Sequence, residues 1–221
     1  MMSLFSFLKK KKKTLPEVKW KDITIAKHKA ILDLFNREDD EMLLLYGLAE
    51  IIYGNDINNM RISEANDLVN TLSFINQRPK PARAKSHYVL NGHKYNTTFN
   101  MQNINTSQFI DFQQMADQSS EHPAQFLSII LIPDGHKYND GYSIDDVVSD
   151  IENYMSVEDA YGLSAFFFNL WLISIQRSIR KLKKLEKAAA KEGLMTKAQL
   201  EALKEIRKKL ESNDGLKQWM L

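Results

Sequence analysis

Apolar positions recur at spacings of three and four along most of the chain, a period that predicts a succession of amphipathic helices. Thr24 stands where an N-cap belongs, ahead of a helix from Ile25 to about Phe35 with Ile25, Ile31, Leu32 and Phe35 as its apolar members. Asp39 and Asp40 precede a second helix, Met42 to Tyr53, where their charge suits the positive end of the helix dipole; Gly54-Asn55-Asp56 stops it. Ser63-Glu64 opens a third through Leu68, Leu72 and Phe74 to Ile75, and Arg78-Pro79-Lys80-Pro81 reads as a basic linker. Thr106 or Ser107 caps a stretch carrying Phe109, Ile110, Phe112 and Met115. Pro123 begins another apolar run, Phe126 to Ile132, which Pro133-Asp134-Gly135 breaks. Ser143 caps a helix with Val147, Val148, Ile151 and Tyr154 inward.

The longest helix opens at Ser156 and runs from Val157 to about Lys191. Its first half is nearly all apolar (Phe166, Phe167, Phe168, Leu170, Trp171, Ile173, Ile175), which predicts burial on every side. From Ile179 to Leu185 only a stripe remains, with Arg and Lys opposite. Thr196 caps a final helix with Leu200, Leu203, Ile206 and Leu210 at spacings of three and four. These last two helices predict an antiparallel hairpin projecting from the body, whose stripe a partner chain would cover. One stretch departs from the helical period: His87 to Phe99 places β-type residues on both sides of Asn91-Gly92, a strong signal for a tight hairpin turn. The expected fold is therefore mainly α: a helical body with one β-hairpin near 86–99 and a C-terminal antiparallel helical hairpin.

Charge divides the chain into three. Residues 1–21 hold seven lysines and one acid, a net of +6; residues 177–221 hold thirteen Lys/Arg and six acids, a net of +7; a chain total of +2 leaves −11 between them. The division is a basic arm (1–21), an acidic and mostly helical body (22–176) and a basic helical extension (177–221). In the arm, the apolar knob Leu4, Phe5, Phe7 and Leu8 precedes Lys9, Lys10, Lys11, Lys12 and Lys13, and reads as a docking peptide for a partner, as a weak membrane-surface anchor, or as a disordered start. Partner contact is expected from this knob and its lysines and from Leu200, Leu203, Ile206 and Leu210. Arg177, Arg180, Lys181, Lys183, Lys184 and Lys187 form the best nucleic-acid candidate, though without interleaved aromatics or a groove-reading motif; a solvated helix face is the rival reading. The apolar-then-basic order of the start is the reverse of a secretory signal. The longest apolar stretch, Ser164–Ile175, is twelve residues where a membrane span needs about 20. No stable membrane insertion is expected.

Candidate chemistry is sparse. No cysteine occurs, which excludes disulfides and thiolate metal sites. His28, His87, His93, His122 and His136 fall in no metal-ligand spacing. The loop from Asp134 to Asp146 fails the calcium-loop pattern, since aligning Gly141 with the invariant glycine puts His136, Tyr138 and Val147 at ligand positions. Gly-His-Lys-Tyr-Asn occurs at 92–96 and again at 135–139, each time after a turn residue. Nucleotide-binding and nucleophile motifs are absent, so neither catalytic residues nor cofactors nor metals are expected.

Five stretches together resemble a group of small virion proteins from tailed phages of Bacteroidetes hosts, including the crAss-like phages. They are Trp20-Lys-Asp-Ile-Thr-Ile, Tyr88-Val-Leu-Asn-Gly-His-Lys-Tyr, Ser107-Gln-Phe-Ile-Asp-Phe-Gln, Ile130-Leu-Ile-Pro-Asp-Gly-His-Lys-Tyr, and Met155-Ser-Val-Glu-Asp-Ala-Tyr with the Phe run after it. The likeness spans roughly residues 18–175, outside the arm and the terminal hairpin. It implies a non-enzymatic particle component of the tail or neck, made in the host cytoplasm and packed against other virion proteins and copies of itself. A cargo protein carried in the virion and delivered to the host, a tail assembly chaperone, and a non-specific nucleic-acid-binding module remain the alternatives.

Overall fold

A computed structural model describes residues 16–54, 65–98, 104–116, 118–192 and 196–211. The fold is mainly α with one small antiparallel sheet. In chain order the elements are α1 (Ile25–Arg37), α2 (Glu41–Tyr53), α3 (Ala65–Leu72), β1 (His87–Leu90), β2 (His93–Thr97), α4 (Thr106–Ala116), α5 (Pro123–Ser128), β3 (Leu131–Pro133), α6 (Ile144–Tyr154), α7 (Val157–Glu192) and α8 (Lys197–Glu211).

Local capping chemistry sets most helix starts. The Thr24 hydroxyl accepts the Lys27 N–H at the head of α1, and the Asp40 carboxylate accepts the N–H groups of Met42 and Leu43 at the head of α2. Ser143 accepts from Asp146 N–H, Ser156 from Asp159 N–H, and Thr196 and Gln199 bond reciprocally at α8. The α4 cap differs from the expected Thr106 or Ser107: Asn105 accepts the Gln108 N–H and the Ser107 hydroxyl, because it is the last residue before the helix and Thr106 and Ser107 already lie in its first turn. Ser63 and Glu64 lie outside the described residues.

The expected hairpin is present, with Tyr88 opposite Tyr95 and Leu90 opposite His93. Asn91 (φ 50°) and Gly92 (φ 79°) supply the two left-handed residues of its turn. A third strand was not anticipated. The apolar run after Pro123 stays helical only to Ser128, then extends so that Leu131, Ile132 and Pro133 pair with Thr97, Asn96 and Tyr95. The sheet presents Tyr88, Leu90, Tyr95 and Leu131 to the interior.

Two apolar clusters form the core. The larger joins the sheet, α4, α5, α6 and the first half of α7; Phe112 sits at its centre, 4.8 Å from Phe167, 5.4 Å from Phe126 and 5.4 Å from Trp171 between ring centroids. The smaller gathers Trp20, Ile31, Leu34, Leu48, Ala49, Ile52, Leu68 and Leu72 with Val157. A short pairing stitches the two together: Ile25 N–H donates to the Met155 carbonyl and Val157 N–H to the Ile23 carbonyl.

Several facing expectations are corrected. On α1, Leu34 is buried while Leu32 and Phe35 are exposed, because α2 covers only one side of the helix. On α4, Gln108 and Phe112 point in and Phe109 and Ile110 out; on α6, Tyr154 is exposed. The first half of α7 is not buried all round. Leu163, Phe167, Trp171 and Ile175 form an inward stripe, whereas Ile173 is exposed and Phe166 and Leu170 are half-buried, since the body packs on one face alone. The chain just after the expected linker Arg78-Pro79-Lys80-Pro81 is fastened to α7. Ala82 N–H donates to the Glu158 carbonyl, Lys85 pairs with Asp159 at 2.9 Å, and the Ala82 backbone lies directly on Gly162.

Candidate functional surface

Beyond Ile175 the helix α7 leaves the larger core and pairs with α8. The Arg207 Nε donates to Glu186 at 2.9 Å, tying α8 back onto α7. Both side chains are mostly withdrawn from solvent there. Along α7, Ile179, Leu182, Glu186 and Ala189 are buried or half-buried and share one side of the helix. Arg177, Arg180, Lys181, Lys183, Lys184 and Lys187 are all exposed. At about 100° per residue they occupy an arc of roughly 160° centred opposite that packed side, over about 15 Å of helix. The spacing that suggested a basic face in the sequence thus becomes a cationic ridge pointing away from the hairpin partner.

The expected contact stripe on α8 divides. Leu203 is half-buried toward α7 and Ile206 is exposed. Nothing is described of the side chains of Leu200 and Leu210, and Leu4, Phe5, Phe7, Leu8 and Lys9, Lys10, Lys11, Lys12 and Lys13 lie outside the described residues. A second apolar exposure, missed in the sequence, lies on the α1–α2 pair: Leu32, Phe35, Met42, Leu43 and Tyr46 all face solvent.

A carboxylate holds the hairpin to α6. Asp150, nearly buried, accepts from Tyr95 Oη at 2.5 Å, Asn91 Nδ2 at 3.0 Å and His93 Nδ1 at 2.9 Å. Burial alone would raise its pKa, but the three donors, Tyr95 foremost, outweigh that and hold it below the usual carboxylate value. Burial and the same carboxylate push the Tyr95 phenol upward. The second Gly-His-Lys-Tyr-Asn copy uses its tyrosine alike, Tyr138 Oη donating to Asp111 at 2.7 Å. The two copies meet where the Lys94 and Asn96 side chains of the first reach Asp134, just before the second. All six contacts are fastenings between elements.

A cleft of about 400 Å³ opens between α1, the start of α5, α6 and α7. Its buried lining is apolar, with Ile25, Val157, Ala160 and Phe168; Leu32 lies at its exposed edge, and His28 and Tyr161 also line it. His28 is half-buried edge-on to Trp20 at 5.5 Å, and this desolvation lowers its pKa. No group of three or more His, Asp or Glu side chains arranged to hold a metal occurs among the described residues. No helix among them is long and apolar enough to cross a membrane. Comparisons with known protein families, with curated proteins and with solved structures find no match.

Proposed function

We propose that this chain is a non-enzymatic phage virion protein of the tail or neck that acts by packing against other particle proteins and copies of itself. The observation that carries this reading is the opposition of faces on α7: six cations crowd one exposed side while the other side is closed by α8. A ridge of that kind complements the acidic body of a neighbouring copy, since residues 22–176 carry a net −11. The exposed Leu32, Phe35, Met42, Leu43 and Tyr46 add the apolar and aromatic anchors from which interface affinity usually comes. The five stretches that resemble virion proteins of the crAss-like group support the same assignment.

Mass measurement of the purified full chain, alone and with a lysate of source-phage particles, tests it. The expected result is a discrete multimer or a complex with a particle protein, and recovery of the chain from finished particles. A chain found in particles at irregular copy number and monomeric in solution is cargo. One absent from finished particles is an assembly factor. The cationic ridge also supports a second reading, non-specific nucleic-acid contact, which predicts duplex binding that weakens steeply with salt.

A further inference from the structure

We propose that the chain's own N-terminal segment, residues 4–13, docks in cis in the cleft between α1, α5, α6 and α7. The inference rests on the reading of that segment as a docking peptide and names its first site.

The cleft and the segment match in two respects. Leu4, Phe5, Phe7 and Leu8 are large and apolar, and the cleft offers Ile25, Ala160 and Phe168 in its buried lining and Leu32 at its exposed edge. Its volume of about 400 Å³ falls within the roughly 300–1,000 Å³ of sites that enclose a compact ligand. Five lysines follow the knob, and Asp33, Glu121 and Glu152 rim the cleft against the one lysine Lys29. Seating the knob therefore carries Lys9–Lys13 across an acidic rim, where attraction is least screened at short range.

Chain length favours the same molecule over a neighbour. The Pro16 carbonyl is fixed by the Tyr53 hydroxyl at 3.2 Å. Trp20, four residues on, stands 5.5 Å from His28 on the cleft wall, which places that wall within about 25 Å of Pro16. Eight residues from Leu8 to Pro16 reach about 27 Å. A tether of that length presents the knob at an effective concentration on the order of a millimolar, well above that of free copies in dilute solution.

The absence of native cysteine makes the test direct. In the full chain, Ser6→Cys is combined with Ser120→Cys at the cleft rim, or with the exposed Ser178→Cys on the α7 extension as control. Disulfide formation at low micromolar protein is followed by intact mass. Expected is a monomeric disulfide at least tenfold faster for 6–120 than for 6–178, falling to the control rate when Phe7→Glu is added. Equal rates for the two pairs, or a 6–120 rate indifferent to Phe7→Glu, overturns the proposal. So does a disulfide that forms chiefly between chains and scales with concentration. As a second readout needing no cysteine, Phe7→Glu in the full chain is expected to speed amide exchange at 25–36 and 119–125. Unchanged exchange there counts against docking. Neither measurement involves particles, so failure here leaves the virion reading to its own test.

Discussion

The buried residues with most at stake are polar. Asp150 serves three donors from the β-hairpin, and removing the acceptor leaves the buried Tyr95 hydroxyl without a partner. Asp150→Ala is expected to lower unfolding free energy by about 3 kcal/mol, and Tyr95→Phe by about 2 kcal/mol, in denaturant titrations. If the two changes add fully in the double variant, the contact between them is not the source of either loss. His28 gives a pH signature. Burial favours its neutral form, so its folded pKa lies below the 6.5 of a free imidazole. The unfolded chain then binds the extra proton first. The contribution of His28 is present above about pH 6.5 and is lost as pH falls below it. His28→Phe keeps a ring beside Trp20 and removes the titration. Its melting temperature is expected to fall less than that of the parent between pH 7.5 and 5.5, and parallel curves would contradict this assignment.

At the scale of elements, α7 is built to be approached closely. A Cβ on Gly162 would meet the Ala82 carbonyl well inside contact distance, with the carbonyl carbon at 2.8 Å. The neighbour is backbone and is itself tied down by the Ala82–Glu158 hydrogen bond. Gly162→Ala is therefore expected to cost about 2 kcal/mol, measured by thermal or denaturant unfolding, although the same change in an open helix stabilises. This contact marks the boundary of what the sequence reveals. Caps at Thr24, Asp40, Ser143, Ser156 and Thr196 were legible because donor and acceptor lie within four residues, and Asn91-Gly92 because the turn's dihedral demands are local. The partner of Gly162 is eighty residues away, and Pro81 and its neighbours carry no local mark of docking. The β3 strand was hidden for the same reason: Leu131 to Pro133 continue an apolar run that suits helix or strand, and only Thr97, Asn96 and Tyr95 decide it. On the candidate surface, the cationic spacing of α7 was legible. The outward turn of Leu32 and Phe35, and the cleft that His28, Glu152 and Tyr161 share, depend on which sides of each helix the neighbours cover.

For the molecule as a whole, charge and apolar core are laid out on different parts of the chain. Among the described residues, both apolar clusters draw their buried members from 20–175, with Ile179 packed at the edge and none from α8. A chain ending at Ile179 is therefore expected to keep one cooperative unfolding transition within a few degrees of the parent. The extension is then free to serve contact rather than folding, and its charge becomes testable apart from stability. Arg180, Lys184 and Lys187 stand exposed on the side of α7 turned from α8, so reversing them touches neither cluster nor the Glu186–Arg207 pair. If the ridge binds acidic bodies, association of the full chain weakens with salt, because exposed charges farther apart than about 8 Å are screened at 0.15 M. The combination Arg180→Glu, Lys184→Glu and Lys187→Glu is expected to weaken self-association at least tenfold in sedimentation velocity at 50 mM salt while leaving the melting temperature unchanged. A variant that associates as tightly as the parent would show that these cations are merely solvated, and would move the interface to the apolar face of α1 and α2.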